Sequence, residues 1–357
     1  MTGNKFYVAT DSQTIIEFPS EKIVYFGFED FKLKIVEGDS CFICGASKKD
    51  KEFNDEHIIP NWILKRYELH SKLINITTER DVQYGRYVVP CCKECNSQLG
   101  DLIETPISKL LTKTYNELVD SLKADNGFLN LIYRWMSLLF FKTHLKDTYY
   151  RKVLDTRVDS GSLGDEYDWA GMHHIHCMCR VHYTDAVVNP NVYGSLLILP
   201  TINILVDKFD YADLMLGKTV MIILNEICII AVLDDSAAIT SMMNHVISKI
   251  TGPLTPYQIK EFFVRMAHAN MHLEPRPTFS SRINEQGKYE IDVDRPEECR
   301  VLEQQIITTG ELLYKYAKDF IVPDLPNRDK ILEEIREGKR GYILNEKGEF
   351  IQHKLPS

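Results

Sequence analysis

Apolar and polar positions alternate through residues 5–36, most clearly at Ile23, Val24, Tyr25 and Phe26 and along Phe31, Lys32, Leu33, Lys34 and Ile35, and this alternation predicts short strands. Over 60–69 the pattern turns helical, with Pro60 in the first turn. Two strands follow at 73–77 and 86–89, joined by a polar connection containing Gly85. From Asn96 the spacing of Leu99, Leu102 and Ile103 is helical again, and Pro106 starts a further helix. Ala124, Asp125, Asn126 and Gly127 form a turn signal in front of a strongly apolar helix over 128–145. The composition shifts there, so the expected domains are 1–125 and 126–357. In the second part strands are predicted at 173–183, 196–206 and 220–233, the last folding back at Asn225 and Glu226. Helices are predicted at 236–250, 255–272, 298–320 and 327–339, before a terminal hairpin around Asn345 to Gly348. Thr255, Pro256 and Gln258 supply an N-cap, a first-turn proline and a capping-box acceptor. The expected class is α+β, with no internal repeat.

Composition excludes more than it selects. Of the 357 residues 44% are apolar and 26% charged, with 18 Gly and 14 Pro, which rules out disorder, collagen or coiled coil as a description of the whole. The apolar stretch 128–141 is interrupted by Asn130 and Arg134 and is shorter than the ~20 residues of a membrane-spanning helix. The first residues lack the basic-then-apolar layout of a signal peptide. A cytoplasmic protein with no membrane partner is therefore expected. The charge balance of 42 − 51 = −9 makes the chain a poor non-specific polyanion binder, so any nucleic-acid contact requires a local basic patch or a partner.

Five of the nine cysteines fall between Cys41 and Cys95. In a reducing compartment such clustering points to metal ligands rather than disulfides. Cys41 and Cys44 form one Cys-x-x-Cys knuckle, Cys92 and Cys95 a second, and four thiolates in two such pairs suit a tetrahedral Zn²⁺. Cys91 lacks the spacing and reads as a small buried thiol, with a register in which it replaces Cys92 as the alternative.

Between the knuckles lie Glu56 and His57, followed by Ile58, Ile59 and Pro60, and Asn96 directly follows the last cysteine. The order Cys-x-x-Cys, acid plus His, Cys-x-x-Cys-Asn resembles the HNH, or ββα-metal, endonuclease family, most closely the phage recombination endonuclease VII group. The resemblance covers roughly residues 39–102. It implies an N-terminal zinc-stapled ββα-metal domain beside a larger mixed C-terminal domain. It further implies that Cys41, Cys44, Cys92 and Cys95 hold a structural Zn²⁺, that Glu56 and Asn96 ligate a catalytic Mg²⁺ or Mn²⁺, and that His57 is the general base for hydrolysis of a DNA phosphodiester, with DNA favoured over RNA. Hard oxygen donors and an imidazole titrating near neutrality suit these roles. The chain departs from the pattern where the family's middle Asn, which braces the histidine, falls at Tyr87. A further departure is the 34 residues separating His57 from Cys92, more than in the compact form.

A second cluster, from Met172 to His182, reads as a strand with His174, His176, Arg180 and His182 on one face. Lys48, Lys49, Lys51, Lys65, Arg66, Arg80, Arg86 and Lys93 form a candidate phosphate-binding rim. The large second part on an acidic chain is expected to gate or target cleavage, itself or through a regulatory protein partner, as in anti-phage defence or mobile elements. The competing reading is a non-catalytic, zinc-stapled module that binds nucleic acid or protein.

Overall fold

The computed structural model describes residues 5–76, 80–153, 155, 157–202, 208–318, 321 and 324–352. Helices and strands are mixed along the whole chain, which is α+β. Its residues group into two compact units. One holds the residues up to Thr112 with Ser121–Val192 and Phe279–Asp294; the other holds Lys113–Asp120, Tyr193–Thr278 and the residues from Arg295 onward. Among the described residues no helix is long and apolar enough to cross a membrane.

The first unit opens with an antiparallel sheet of β1 (Phe6–Ala9), β2 (Ile15–Phe18) and β3 (Lys22–Tyr25). Phe31–Val36, expected to be a strand, is instead a π-helical turn that buries Phe31, Ile35 and Val36. Leu33, which the alternation assigned to the buried face, is 64% exposed. β4 (Phe53–His57) pairs antiparallel with β7 (Val88–Cys92), placing Glu56 opposite Val89 and His57 opposite Val88. Between them lie α1 (Asn61–Arg66) and a second antiparallel pair, β5 (Leu73–Ile76) with β6 (Arg80–Gln83); Thr77, at the end of the expected strand, lies outside the described residues. α2 (Lys93–Leu99) follows β7 without a loop, with Cys92 as its N-cap.

Two further helices of this unit bear on the site. α3 (Gly127–Asp147) starts where Asp125 accepts a hydrogen bond from the Gly127 amide at 2.8 Å, and most of its second half is buried. The shift at Ala124 to Gly127 thus marks a helix start inside the first unit. α4 (Trp169–Cys179) replaces the strand expected at 173–183. The correction has a physical cause: His176 is fully buried among Phe31 and Phe141, so it behaves as core, and Met172, Ile175, His176 and Cys179 follow helical rather than alternating spacing. Asp168 caps the helix, accepting from the Gly171 amide.

In the second unit, β8 (Leu196–Pro200), β9 (Phe209–Leu214), β10 (Thr219–Leu224) and β11 (Ile227–Val232) form an antiparallel sheet in the order β9-β10-β11-β8. β10 and β11 are buried throughout and turn at Asn225, whose φ of 56° suits a two-residue hairpin loop. Residues 203–207, within the strand expected at 196–206, lie outside the described residues. Four helices follow: α5 (Ala238–Ile247), α6 (Pro256–Met271), α7 (Thr309–Ala317) and α8 (Arg328–Arg336). The capping box of α6 forms as expected from Thr255 and Gln258. Gln258 also donates to the carbonyls of Tyr342 and Ile351, pinning the terminal hairpin that Leu344 and Phe350 close. The helix expected over 298–320 begins only at Thr309, because Thr308 and Glu311 form its capping box and Arg300–Val301 pairs as a strand with Leu273–Glu274; Phe320 lies outside the described residues.

Burial holds three histidines of the first unit below the ordinary imidazole pKa: His173, His176, the most strongly buried, and His182, which falls to about 4. The unfolded chain takes up these protons near pH ~6.5 and the fold resists them. Their contribution is therefore fully present above that value and lost as pH falls toward the folded values, at most ~1.4 kcal/mol per pH unit for each histidine. Melting temperature, with zinc content followed in parallel, should drop steadily on acidification through this window, and His182→Gln should flatten the drop. A wild-type profile that is level down to pH ~5 would contradict it.

Candidate functional site

Cys41, Cys44, Cys92 and Cys95 are buried, and their sulfurs all lie within 4.8 Å of one another. Zinc bound to four thiolates at ~2.3 Å sets its sulfurs about 3.8 Å apart, and Cys44 and Cys92 stand at 3.7 Å. Four thiolates this close repel, so without a cation their ionisation splits: Cys41, which accepts from neighbouring thiols, is driven down, while Cys44 is pushed up to about 12, chiefly by its hydrogen bond to Cys41, and Cys95 is pushed up as well. A dication removes the conflict, so the donor set fits a structural zinc. Cys91 is not a member of the cluster. Its sulfur lies 3.7 Å from that of Cys41, and the hydrogen bond to Cys41 together with burial keeps it a thiol.

The backbone of the first knuckle is held by α4. His176 Nε2 donates to the Phe42 carbonyl at 2.7 Å. Arg180, only 1% exposed, gives its guanidinium to the carbonyls of Ile43, Val24 and Ile23, and lies over the Phe26 ring at 4.5 Å. Gly45 ends the knuckle with φ +76°, and an added Cβ would lie 2.5 Å from the Phe26 ring. The histidine-rich segment expected to be a polar-faced strand is thus a helical brace for the zinc loop.

The second knuckle fixes the polar residues. Asn96, one residue beyond Cys95 on α2, donates to Asn54 Oδ1 at 2.9 Å and to the Asp55 carbonyl at 3.3 Å, which ties α2 to β4. Consecutive strand residues point to opposite faces. His57 is half-buried, and its ring meets that of His70 at 6.4 Å; His70 in turn bonds Asn61 at 2.9 Å. Burial, then Lys142 and His70, hold the His57 pKa below the usual imidazole value against the pull of Glu56. Tyr87, the position of the family's bracing Asn, is buried and accepts the Ile58 amide through its carbonyl.

Glu56 goes the other way. It is 6% exposed, and its Oε1 is 2.6 Å from Lys142 Nζ on α3. Lys142 also donates to the His57 carbonyl at 2.7 Å and lies 4.0 Å from Glu104. Burial favours a neutral Lys142, but Glu56 and Glu104 outweigh it and keep the ammonium charged. Burial and Glu56 push Glu104 up to about 7. The carboxylate expected to ligate a catalytic divalent cation is therefore already neutralised, and the residues present do not fit that ion at Glu56.

Of the expected basic rim, Lys48 pairs with Asp39 at 2.7 Å, Lys51 with Glu94 and Lys93 with Glu52, all at the surface, where a phosphate can readily displace a carboxylate. Lys142, Glu104 and His70 were not foreseen. The readable signal for Lys142 is a charge directly after Phe140 and Phe141 in a strongly apolar helix, which has to find an acid when buried.

The fold and site define an α+β chain with a buried four-cysteine centre beside a strand carrying Glu56 and His57. Comparison with protein-family models, with curated proteins and with solved structures found no match.

Replacing Arg180 by Met leaves buried carbonyls unpaired at ~1–3 kcal/mol each. Arg180→Met should therefore lower the melting temperature and speed zinc loss to a chelator, read as moles of zinc per chain. Wild-type melting and zinc retention in that variant would rule out the brace.

Proposed function

We propose that the first unit carries an HNH-type, ββα-metal nuclease module that hydrolyses DNA phosphodiesters, with His57 as general base. The observation that carries this reading is the hydrogen bonding of Asn96 to β4, which joins the helix after the zinc cysteines to the strand bearing His57. The antiparallel pair β4 and β7 running directly into α2 gives the strand, strand, helix order of that family. His57, with its depressed pKa, is a neutral imidazole at physiological pH and can accept a proton from water as the water oxygen attacks phosphorus. The 3′ oxygen then leaves and the 5′ phosphate remains. The Mg²⁺ or Mn²⁺ implied by the resemblance would neutralise the phosphate, and Asn96 is its candidate ligand. Lys48, Lys51 and Lys93, each in a surface ion pair whose carboxylate a phosphate would have to displace, are the proposed phosphate contacts. The second unit, or a protein partner in the cytoplasm, is the element proposed to gate cleavage in defence or mobility.

A second reading, a zinc-stapled binding module without catalysis, is favoured by one observation: the Lys142 ammonium already neutralises Glu56.

Plasmid cleavage with Mg²⁺ or Mn²⁺ separates the two. Wild type should cut; His57→Ala should remain folded and zinc-loaded while losing on the order of 10²-fold or more in rate; Cys92→Ser should lose zinc and stability together. The rate should stay level as pH falls past ~6.5 and decline only below it. Wild type that never cuts DNA under any metal condition, or His57→Ala that cuts normally, sinks the catalytic reading.

A further inference from the structure

Lys142 leaves α3 with 3% of its side chain exposed. Its ammonium donates to Glu56 Oε1 at 2.6 Å and to the His57 carbonyl at 2.7 Å, and lies 4.0 Å from Glu104 Oε1. Two carboxylates and a backbone carbonyl are also the hard-oxygen set that a Mg²⁺ or Mn²⁺ ion prefers. The ammonium and a dication cannot share that volume. Nor can Lys142 readily withdraw, because Ile132, Leu139, Phe140 and Phe141 of the same helix are buried and an unpaired ammonium among them is strongly disfavoured.

We propose that Lys142 is the resident cation of this site: it occupies the place beside Glu56 that a divalent ion would need, so that Glu56 positions β4 and does not ligate metal. The proposal rests on the nuclease reading only for its catalytic consequence, namely that an ion serving His57 must be held without Glu56. The binding claim stands alone. Glu56 and the His57 carbonyl are tied to one ammonium, so Lys142 sets the position of the residue proposed as base from beneath the strand, and it is a positioning residue.

The test is Mn²⁺ binding to the zinc-loaded full chain, read by electron paramagnetic resonance. Wild type and Glu56→Gln should bind the same number of Mn²⁺ ions, with affinities within about twofold. Glu56→Gln leaves Lys142 its partner Glu104, so the variant is not left with an unpaired charge. Loss of one Mn²⁺ site, or a tenfold weaker one, in Glu56→Gln overturns the proposal. Lys142→Met strips two buried carboxylates of their cation and should gain one Mn²⁺ site, absent again in Lys142→Met/Glu56→Gln; a folded Lys142→Met with no added site counts against it. Should Lys142→Met not fold, the comparison of wild type with Glu56→Gln decides alone. Failure of plasmid cleavage by wild type would remove the nuclease reading and leave the Mn²⁺ result standing.

Discussion

Four sulfurs within 4.8 Å, all buried, set the constraint on which the first unit depends. Four negative thiolates cannot be held together in a medium of low dielectric unless a cation sits among them. Once it does, the loop at Cys41 and Cys44 is fixed to the junction of β7 and α2. That junction carries Asn96, and Asn96 is bonded to β4. The metal centre touches none of the candidate catalytic groups, yet it sets the relative position of the two elements that carry them. In a segment this poor in continuous sheet, thiolate coordination would add to the packing of buried residues such as Phe42, Ile58, Ile63 and Val89.

Two buried cations extend the same logic outward. Arg180, at the end of α4, gives its guanidinium to backbone carbonyls of the knuckle and of β3. Lys142 on α3 meets one carbonyl and one close carboxylate at the end of β4. In both cases a helix carries the cation to backbone oxygens of a loop or strand. This explains why an apolar helix beyond residue 125 packs with the zinc-bearing segment: the site needs charges that its own short elements do not provide.

The local patterns that were legible in the sequence are those set by neighbouring residues. The capping box at Thr255 and Gln258, the hairpin at Asn225 and the four zinc cysteines follow from chemistry within a few residues or from a fixed Cys spacing. The strand expected at 173–183 failed because whether a histidine counts as polar depends on its partner. His176 finds a carbonyl from residue 42, far away in the chain, and becomes core. Leu33 failed in the opposite sense, an apolar residue left in solvent by a turn of π-helix. For the site, Cys41, Cys44, Cys92 and Cys95 come together as the spacing implies, whereas the partner of Glu56 lies 86 residues away and no local pattern points to it. The adjacency of Glu56 and His57 suggested a shared task; strand geometry separates them to opposite faces.

That separation changes what the charge beneath β4 does. Lys142 pairs with Glu56 and offsets part of the pull that this acid exerts on the imidazole. Burial is the main cause that holds the imidazole below its usual pKa, with Lys142 and His70 adding to it against the pull of Glu56 and Asp55. A base must be free of its proton before it can take one from water. A free carboxylate at Glu56 would act in the opposite sense, holding a proton on His57. On this account burial holds His57 deprotonated, and Lys142 assists by offsetting part of the pull of the residue beside it.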